Sequence, residues 1–230
     1  MRLILGLGLL AACPAMATDV VDTFETDANQ NGWSFTDDIG DTLGTIQPSG
    51  GNPGGWLDSG IPFYNDHPAV ASLGPPGSKL RAALASGTLL SASVDFQRID
   101  AAADCGPVYD LPSHFSIKLI DRHTVPSTPP TVIQAYTTAG ESPLEGPFPW
   151  MTASFTIPSA ATDVPAGWVL KAPPDINYTW QDMMHNIDGI ALGLVDPDDI
   201  TYSACWHIGV DNIKITYVGE NVFGNGFDAQ

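Results

Sequence analysis

The stretch of this chain best suited to binding chemistry is Asp27-Ala28-Asn29-Gln30-Asn31-Gly32. Oxygen-bearing side chains stand at its first, third and fifth positions and glycine at its sixth, the D-x-N-x-N-G form of a calcium loop. Calcium takes about six to eight oxygen ligands; alternate residues aim at one centre, and the glycine permits the sharp turn. The twelfth position is Asp38, a carboxylate where an EF-hand loop has glutamate. Two features depart from an EF-hand: Ser34 takes the usual aliphatic position, and no helical pattern flanks the loop. The competing reading is a turn without metal, because Asn31-Gly32 is an ordinary hairpin dipeptide and Asp and Asn favour turns unaided.

Catalytic motifs are missing. There is no G-x-S-x-G, H-E-x-x-H, P-loop or dinucleotide fingerprint. His67, His114, His123, His185 and His207 lack ligand spacing and read as surface or packing residues. Among 26 acidic residues some pairs must fall at glycosidase spacing by chance, so neither Asp95 nor Asp121 stands out as an acid. Asp196-Pro197-Asp198-Asp199 reads as a solvated acidic loop. Trp56, Phe63 and Tyr64 lie in Gly/Pro-rich sequence where no strand pattern requires them. Exposed there, they would stack on the apolar faces of sugar rings; folded back, they would be lids on the core. Asn177-Tyr178-Thr179 has the form of a glycosylation acceptor, and the bacterial character of the chain predicts that it is silent.

The N-terminus predicts export. Met1-Arg2 is a basic start, Leu3 to Ala12 an apolar run, and Ala15-Met16-Ala17 a small-x-small cleavage site, so residues 1–17 read as a signal peptide. Leu10-Ala11-Ala12-Cys13 also resembles a lipobox, which would leave a lipid anchor on Cys13. On either reading Cys105 and Cys205 remain, an even pair in an oxidising compartment, and one disulfide is the simplest expectation. Two separate thiols are the alternative.

Period-two alternation supplies the frame for these residues. Leu90, Ala92, Val94 and Phe96 share one face, as do Phe115, Ile117 and Leu119, then Met151, Ala153, Phe155 and Ile157, then Ile190, Leu192 and Leu194. Such alternation predicts antiparallel strands with one buried and one solvated face, and the turn-rich connections predict a β-sandwich. One segment differs: Trp180, Met183, Met184 and Ile187 follow helical spacing. Thr179 and Asp182 form a capping-box-like start and Gly189 a stop, giving one short helix over about 179–188. In the last strand Ile208 and Val210 have one parity, and Ile213, Ile215 and Tyr217 the other. A β-bulge at Asp211-Asn212 would reconcile them and make Asp211 a candidate ligand; two strands meeting at a bend would do so without that consequence.

Phe24-Glu25, Gly32-Trp33, Gly51-Asn52-Pro53-Gly54-Gly55-Trp56-Leu57 and the closing Gly209-Val210-Asp211-Asn212-Ile213 resemble bacterial domains related to the laminin IV type A (laminin B) module. The resemblance implies a jelly-roll β-sandwich in an extracellular protein, related to galactose- and carbohydrate-binding modules, and no defined activity. By the same resemblance Glu25, at the end of the first strand, and Asp211, on the last, would share one structural calcium with loop carbonyls. The insert 101–111, carrying Cys105, and the Pro-rich stretch after Arg122 depart from the pattern.

Composition bounds the rest. The chain has 230 residues, net charge −18 and 43% hydrophobic residues, which describes a globular domain and disfavours nucleic acid or an anionic membrane surface as partner. No transmembrane segment follows the signal. The expectation is an all-β, antiparallel jelly-roll sandwich over residues 18–218 with a tail at 219–230, secreted or periplasmic, or lipid-anchored in the envelope. It would be a non-catalytic module binding an extracellular glycan or cell-surface ligand, with a structural calcium. The alternative is a secreted polysaccharide lyase or hydrolase on the same scaffold.

Overall fold

The computed structural model describes residues 16–25, 29–36, 44–60, 63–65, 67–100, 113–122, 132–143, 147–198 and 204–219. Among these residues thirteen strands and two helices follow in order: β1 (Ala17–Asp22), β2 (Ser34–Thr36), β3 (Thr45–Gly51), β4 (Gly54–Asp58), β5 (Phe63–Asn65), β6 (Ala69–Ser72), α1 (Lys79–Ala85), β7 (Leu89–Asp100), β8 (Ser113–Asp121), β9 (Ile133–Ser142), β10 (Phe148–Thr156), β11 (Val169–Lys171), α2 (Trp180–Asn186), β12 (Gly189–Gly193) and β13 (Ala204–Val218).

One sheet runs β10-β7-β13-β4-β3, with β1 and β5 also paired to β13; the other runs β11-β9-β8-β12-β6-β2. Every pairing among the described strands is antiparallel. The expected all-β sandwich is therefore the fold. Its two inner faces meet in one core: Phe96 of β7 stacks on Phe115 of β8, ring centroids 5.8 Å apart and nearly parallel. Ile117, Leu119, Ala153, Phe155, Ile190 and Leu192 lie inside, as their alternation predicts.

The long strand β13 is the spine of the first sheet. One edge pairs with β7 along most of its length. The other edge takes β5, β4 and β1 in succession. The seam between β4 and β1 thus falls beside Asp211 and Asn212.

Three expectations needed revision. A second helix, α1, precedes β7; Ser78 caps it by accepting from the Arg81 N–H at 3.1 Å, and Leu80, Ala83 and Leu84 point inward. Leu90 is only half-buried while Leu89 is fully buried, because a register shift between Thr216 and Tyr217 brings Tyr217 opposite Leu89. Strand β12 is buried on both faces: Ala191 joins Ala69, Ala71 and Ile120 in a small cluster opposite the main core. Ala191, opposite the main core, lies among Ala69 and Ala71 of β6 and Ile120 of β8, so that face is lost to solvent.

Helix α2 follows its sequence signals closely. Thr179 Oγ1 accepts from the Asp182 N–H at 3.1 Å, and the Asp182 carboxylate accepts from the Thr179 N–H at 2.8 Å, a complete capping box. Trp180, Met183 and Met184 are buried, and Trp168 meets Trp180 edge-on at 5.1 Å. They are core.

Candidate metal site

The parity change in β13 is a β-bulge. Opposite β7, Asp211 pairs with Asp95 and Lys214 with Ser93, so β13 spends one residue more than its partner between these pairs. Asn212 takes φ of +49°, a left-handed conformation that Asn tolerates better than most residues. The bulge keeps Val210 and Ile213 both in the core and leaves Asp211 on the outer face of the sheet, beneath the turn between β3 and β4.

That turn, Gly51-Asn52-Pro53-Gly54, folds back over the outer face. The Asn52 N–H donates to Asp211 Oδ2 at 2.6 Å, and the Asn52 carboxamide donates to Asp95 Oδ2 at 3.1 Å. Asn212 contributes its N–H to Asp211 Oδ1 at 2.7 Å and its carboxamide to Asp95 Oδ2 at 2.8 Å. Thr152 of β10 closes the other side of Asp95 at 2.6 Å. Asp95, with three donors, is a fixed structural acceptor. Asp211 is fully buried, and burial, helped by the nearby charges of Asp95 and Glu25, raises its pKa to about 6 despite the two main-chain donors.

Glu25 reaches the same turn from the end of β1. The preceding Phe24 has φ of +51°, which turns the chain there, and Glu25 Oε2 accepts from the Gly55 N–H at 3.3 Å. Three positions flanking its tip must be glycine. Gly54 sits at φ of +90°, and a Cβ there would run into both Glu25 carboxylate oxygens. A Cβ on Gly51 would lie 2.7 Å from Asp211 Oδ2 and also meet the carbonyl oxygens of Gly54 and Gly55. A Cβ on Gly55 would meet the Phe24 carbonyl oxygen. Glu25 at Gly54 and Asp211 at Gly51 thus each approach the turn where a glycine leaves room, with main-chain oxygens of Phe24, Gly54 and Gly55 close to one or other glycine. Such an all-oxygen set suits a hard cation such as calcium. No group of three or more His, Cys, Asp or Glu among the described residues could hold a metal ion, so any ion here would rest on two acidic side chains and main-chain oxygens.

The other sequence candidates fall elsewhere. Asn29 brackets Trp33: its Oδ1 accepts from the Trp33 N–H at 2.9 Å and its Nδ2 donates to the Trp33 carbonyl at 2.6 Å. Asn31 is buried, with Oδ1 accepting from the Leu80 N–H of α1 at 3.1 Å and Nδ2 donating to Asp22 at 2.7 Å. Asp22 also accepts from Trp33 Nε1 at 2.6 Å. Both asparagine oxygens are therefore engaged within a packed turn, unlike the free ligands of an EF-hand-like loop. Asp27 and Asp38 lie outside the described residues.

Trp56 is 8% exposed, its Nε1 donating to the Ser49 carbonyl at 3.0 Å, so it is folded away from solvent, outside the core cluster that holds its neighbour Leu57. Half-buried Trp150 meets it edge-on at 6.1 Å and donates from Nε1 to the Gly50 carbonyl at 3.1 Å. Phe63 and Tyr64 belong to β5, paired with Trp206 and Cys205; their side chains lie outside the description, as do the Cys205 side chain and all of Cys105, and with them the expected disulfide. Asp198 is more than a solvated loop residue: Lys171 Nζ lies 2.6 Å from Oδ1 and the Tyr136 hydroxyl donates to Oδ2. The bond from Lys171, then that from Tyr136, lowers its pKa. Asn52 and Asn212, which frame the site, lie in the Gly51–Leu57 and Gly209–Ile213 segments without being marked as donors, and Asp95 and Thr152 lie in no motif.

No protein-family model matches the chain, so the resemblance to the laminin IV type A module finds no support, and no curated protein matches it either. Among solved structures it is similar to the K1 cleaved adhesin domain of Lys-gingipain from Porphyromonas gingivalis W83, with 14% identity over 86% of this chain and 97% of that one, TM-score 0.39. The K3 cleaved adhesin domain of the same protein is comparable, with 12% identity over 87% and 99% and TM-score 0.37. Likeness at these scores carries no functional argument. The class that the fold itself defines is a two-sheet antiparallel β-sandwich. Among the described residues no helix is long and apolar enough to cross a membrane.

Proposed function

We propose that the chain is an exported, non-catalytic β-sandwich module that binds an extracellular or cell-surface ligand, a glycan by chemistry, and carries a structural calcium at the seam of β1, β4 and β13. The observation that carries this reading is that Glu25 and Asp211 both reach the β3–β4 turn, Glu25 accepting from the Gly55 N–H beside Gly54 and Asp211 from the Asn52 N–H beside Gly51. Two carboxylates repel unless a cation lies between them, and Glu25 adds to the raised pKa of Asp211. Bound calcium would supply charge neutralisation and tie the end of β1 to β13, with Glu25, Asp211 and the carbonyls of Phe24, Gly54 and Gly55 as its holders. The turn so fixed also holds Trp150, through the Gly50 carbonyl, at the outer edge of the sheet. An indole held there offers a sugar ring a flat apolar face.

Thermal unfolding with and without calcium tests the metal, and glycan-array binding with and without EDTA tests the ligand. Calcium at about a hundred times its Kd should add roughly 2.7 kcal/mol. An unchanged Tm in EDTA would refute the metal site, and an array blank under both conditions would refute the glycan.

A further inference from the structure

Asn177-Tyr178-Thr179 is the only N-x-S/T sequence in the chain, and Asp175 stands two residues before the asparagine. The Tyr178 N–H donates to the Ile176 carbonyl at 3.0 Å, a three-residue turn with Asn177 at its apex. A second bond, from the Ile176 N–H to the Pro173 carbonyl at 3.1 Å, holds the approach to that turn. Asp175, Asn177 and Thr179 are all exposed, and among the described residues no hydrogen bond reaches the Asn177 carboxamide. The flanking side chains are anchored: the Tyr178 hydroxyl donates to Asp121 at 2.6 Å, and Thr179 caps α2. The fold thus presents one unengaged amide at the tip of a turn, inside a five-residue D-x-N-x-T sequence.

We infer that Asn177 is an acceptor for N-linked glycosylation by a transferase that reads the acidic residue two positions upstream. The co-substrate is an oligosaccharide on a polyprenyl diphosphate. Asn177 Nδ2 attacks the anomeric carbon; the C–N bond forms as the C–O bond to the diphosphate breaks, the lipid diphosphate leaves, and a transferase base takes one amide proton. The Asp175 carboxylate offers that enzyme a partner for an arginine, and the Thr179 hydroxyl, which donates to Asp182 Oδ2 at 2.6 Å in the cap, completes the recognition sequence once the transferase draws it from that bond.

The test uses the folded full chain with a purified transferase of this specificity and its lipid-linked oligosaccharide, read by intact mass and peptide mapping. One glycan increment on Asn177 is expected, with none in Asn177→Gln and a rate about tenfold lower in Asp175→Ala. Thr179→Ser should be modified, since it keeps the hydroxyl. Asp182→Ala, which weakens the helix cap and leaves all five residues in place, should be modified at least as fast as wild type. Failure to modify the folded chain, where a free peptide spanning Pro173–Trp180 is modified, overturns the inference. So does an increment that survives Asn177→Gln.

Discussion

Asp211 lies directly opposite Asp95 across the β13–β7 ladder, and Asn52 donates to both, its N–H to Asp211 and its carboxamide to Asp95. Like charges facing each other on neighbouring strands destabilise a sheet. Here the repulsion is offset by directed donors from two asparagines and Thr152, which is why the turn bearing Asn52 is bound to the sheet it covers.

Metal-free protein should become more stable as pH falls from 7.5 to 5. The folded-state pKa of Asp211, about 6, is above the ordinary aspartate value of 3.8, so protonation favours the native state. The contribution is fully present below the unfolded value and is lost as pH rises through the folded one. Urea titrations in EDTA should show this slope, and Asp211→Asn should flatten it. An equal slope in the variant would mean that another group is responsible.

Gly54→Ala forces a side chain into a left-handed position and into Glu25. A loss of about 1–3 kcal/mol is expected in EDTA. Added calcium should restore less stability to it than to wild type, measured as the difference between two melting curves. Full restoration would show that the turn and the ion do not share space.

Asn31→Ala should cost roughly 2–3 kcal/mol, equally with and without calcium, because it strips Asp22 of a buried donor and the Leu80 N–H of its acceptor. A cost that grows in calcium would revive the D-x-N-x-N-G loop as the metal site.

Trp150→Ala removes a half-buried ring and one bond to Gly50. It should leave Tm within a few degrees of wild type while abolishing whatever glycan signal the array reveals. A wild-type signal from the variant would move the ligand face elsewhere.

Thr179→Ala deletes the cap of α2 and should cost about 1 kcal/mol, or roughly 2–4 °C in Tm at this chain length. Differential scanning calorimetry gives the number directly.

What could be seen in the chain beforehand was local. The parity change between Val210 and Ile213 is a short-range property, and so is the spacing from Thr179 to Ile187; the bulge and α2 follow from them. Helix α1 is hidden in the sequence because its three buried positions, Leu80, Ala83 and Leu84, follow the breakers Pro75, Pro76 and Gly77 within one short turn-rich stretch. Asn31 could not be told from a metal ligand without knowing that the first residues of α1 would lie against it. Asp95 was one carboxylate among many until the pairing of β7 with β13 placed it beside Asp211. Long-range register, absent from any single window of sequence, builds the site.

The position of β1 has a bearing on how the molecule comes into being. Ala17 to Asp22 pair with Ile213 to Val218, the two ends of the described chain. A polypeptide made or threaded through a pore from its N-terminus therefore holds β1 without its neighbour until the final strand has emerged. The first sheet cannot close early, and β13, the one segment that β1, β4, β5 and β7 all require, arrives last. Such an arrangement delays closure of the first sheet until β13 has emerged.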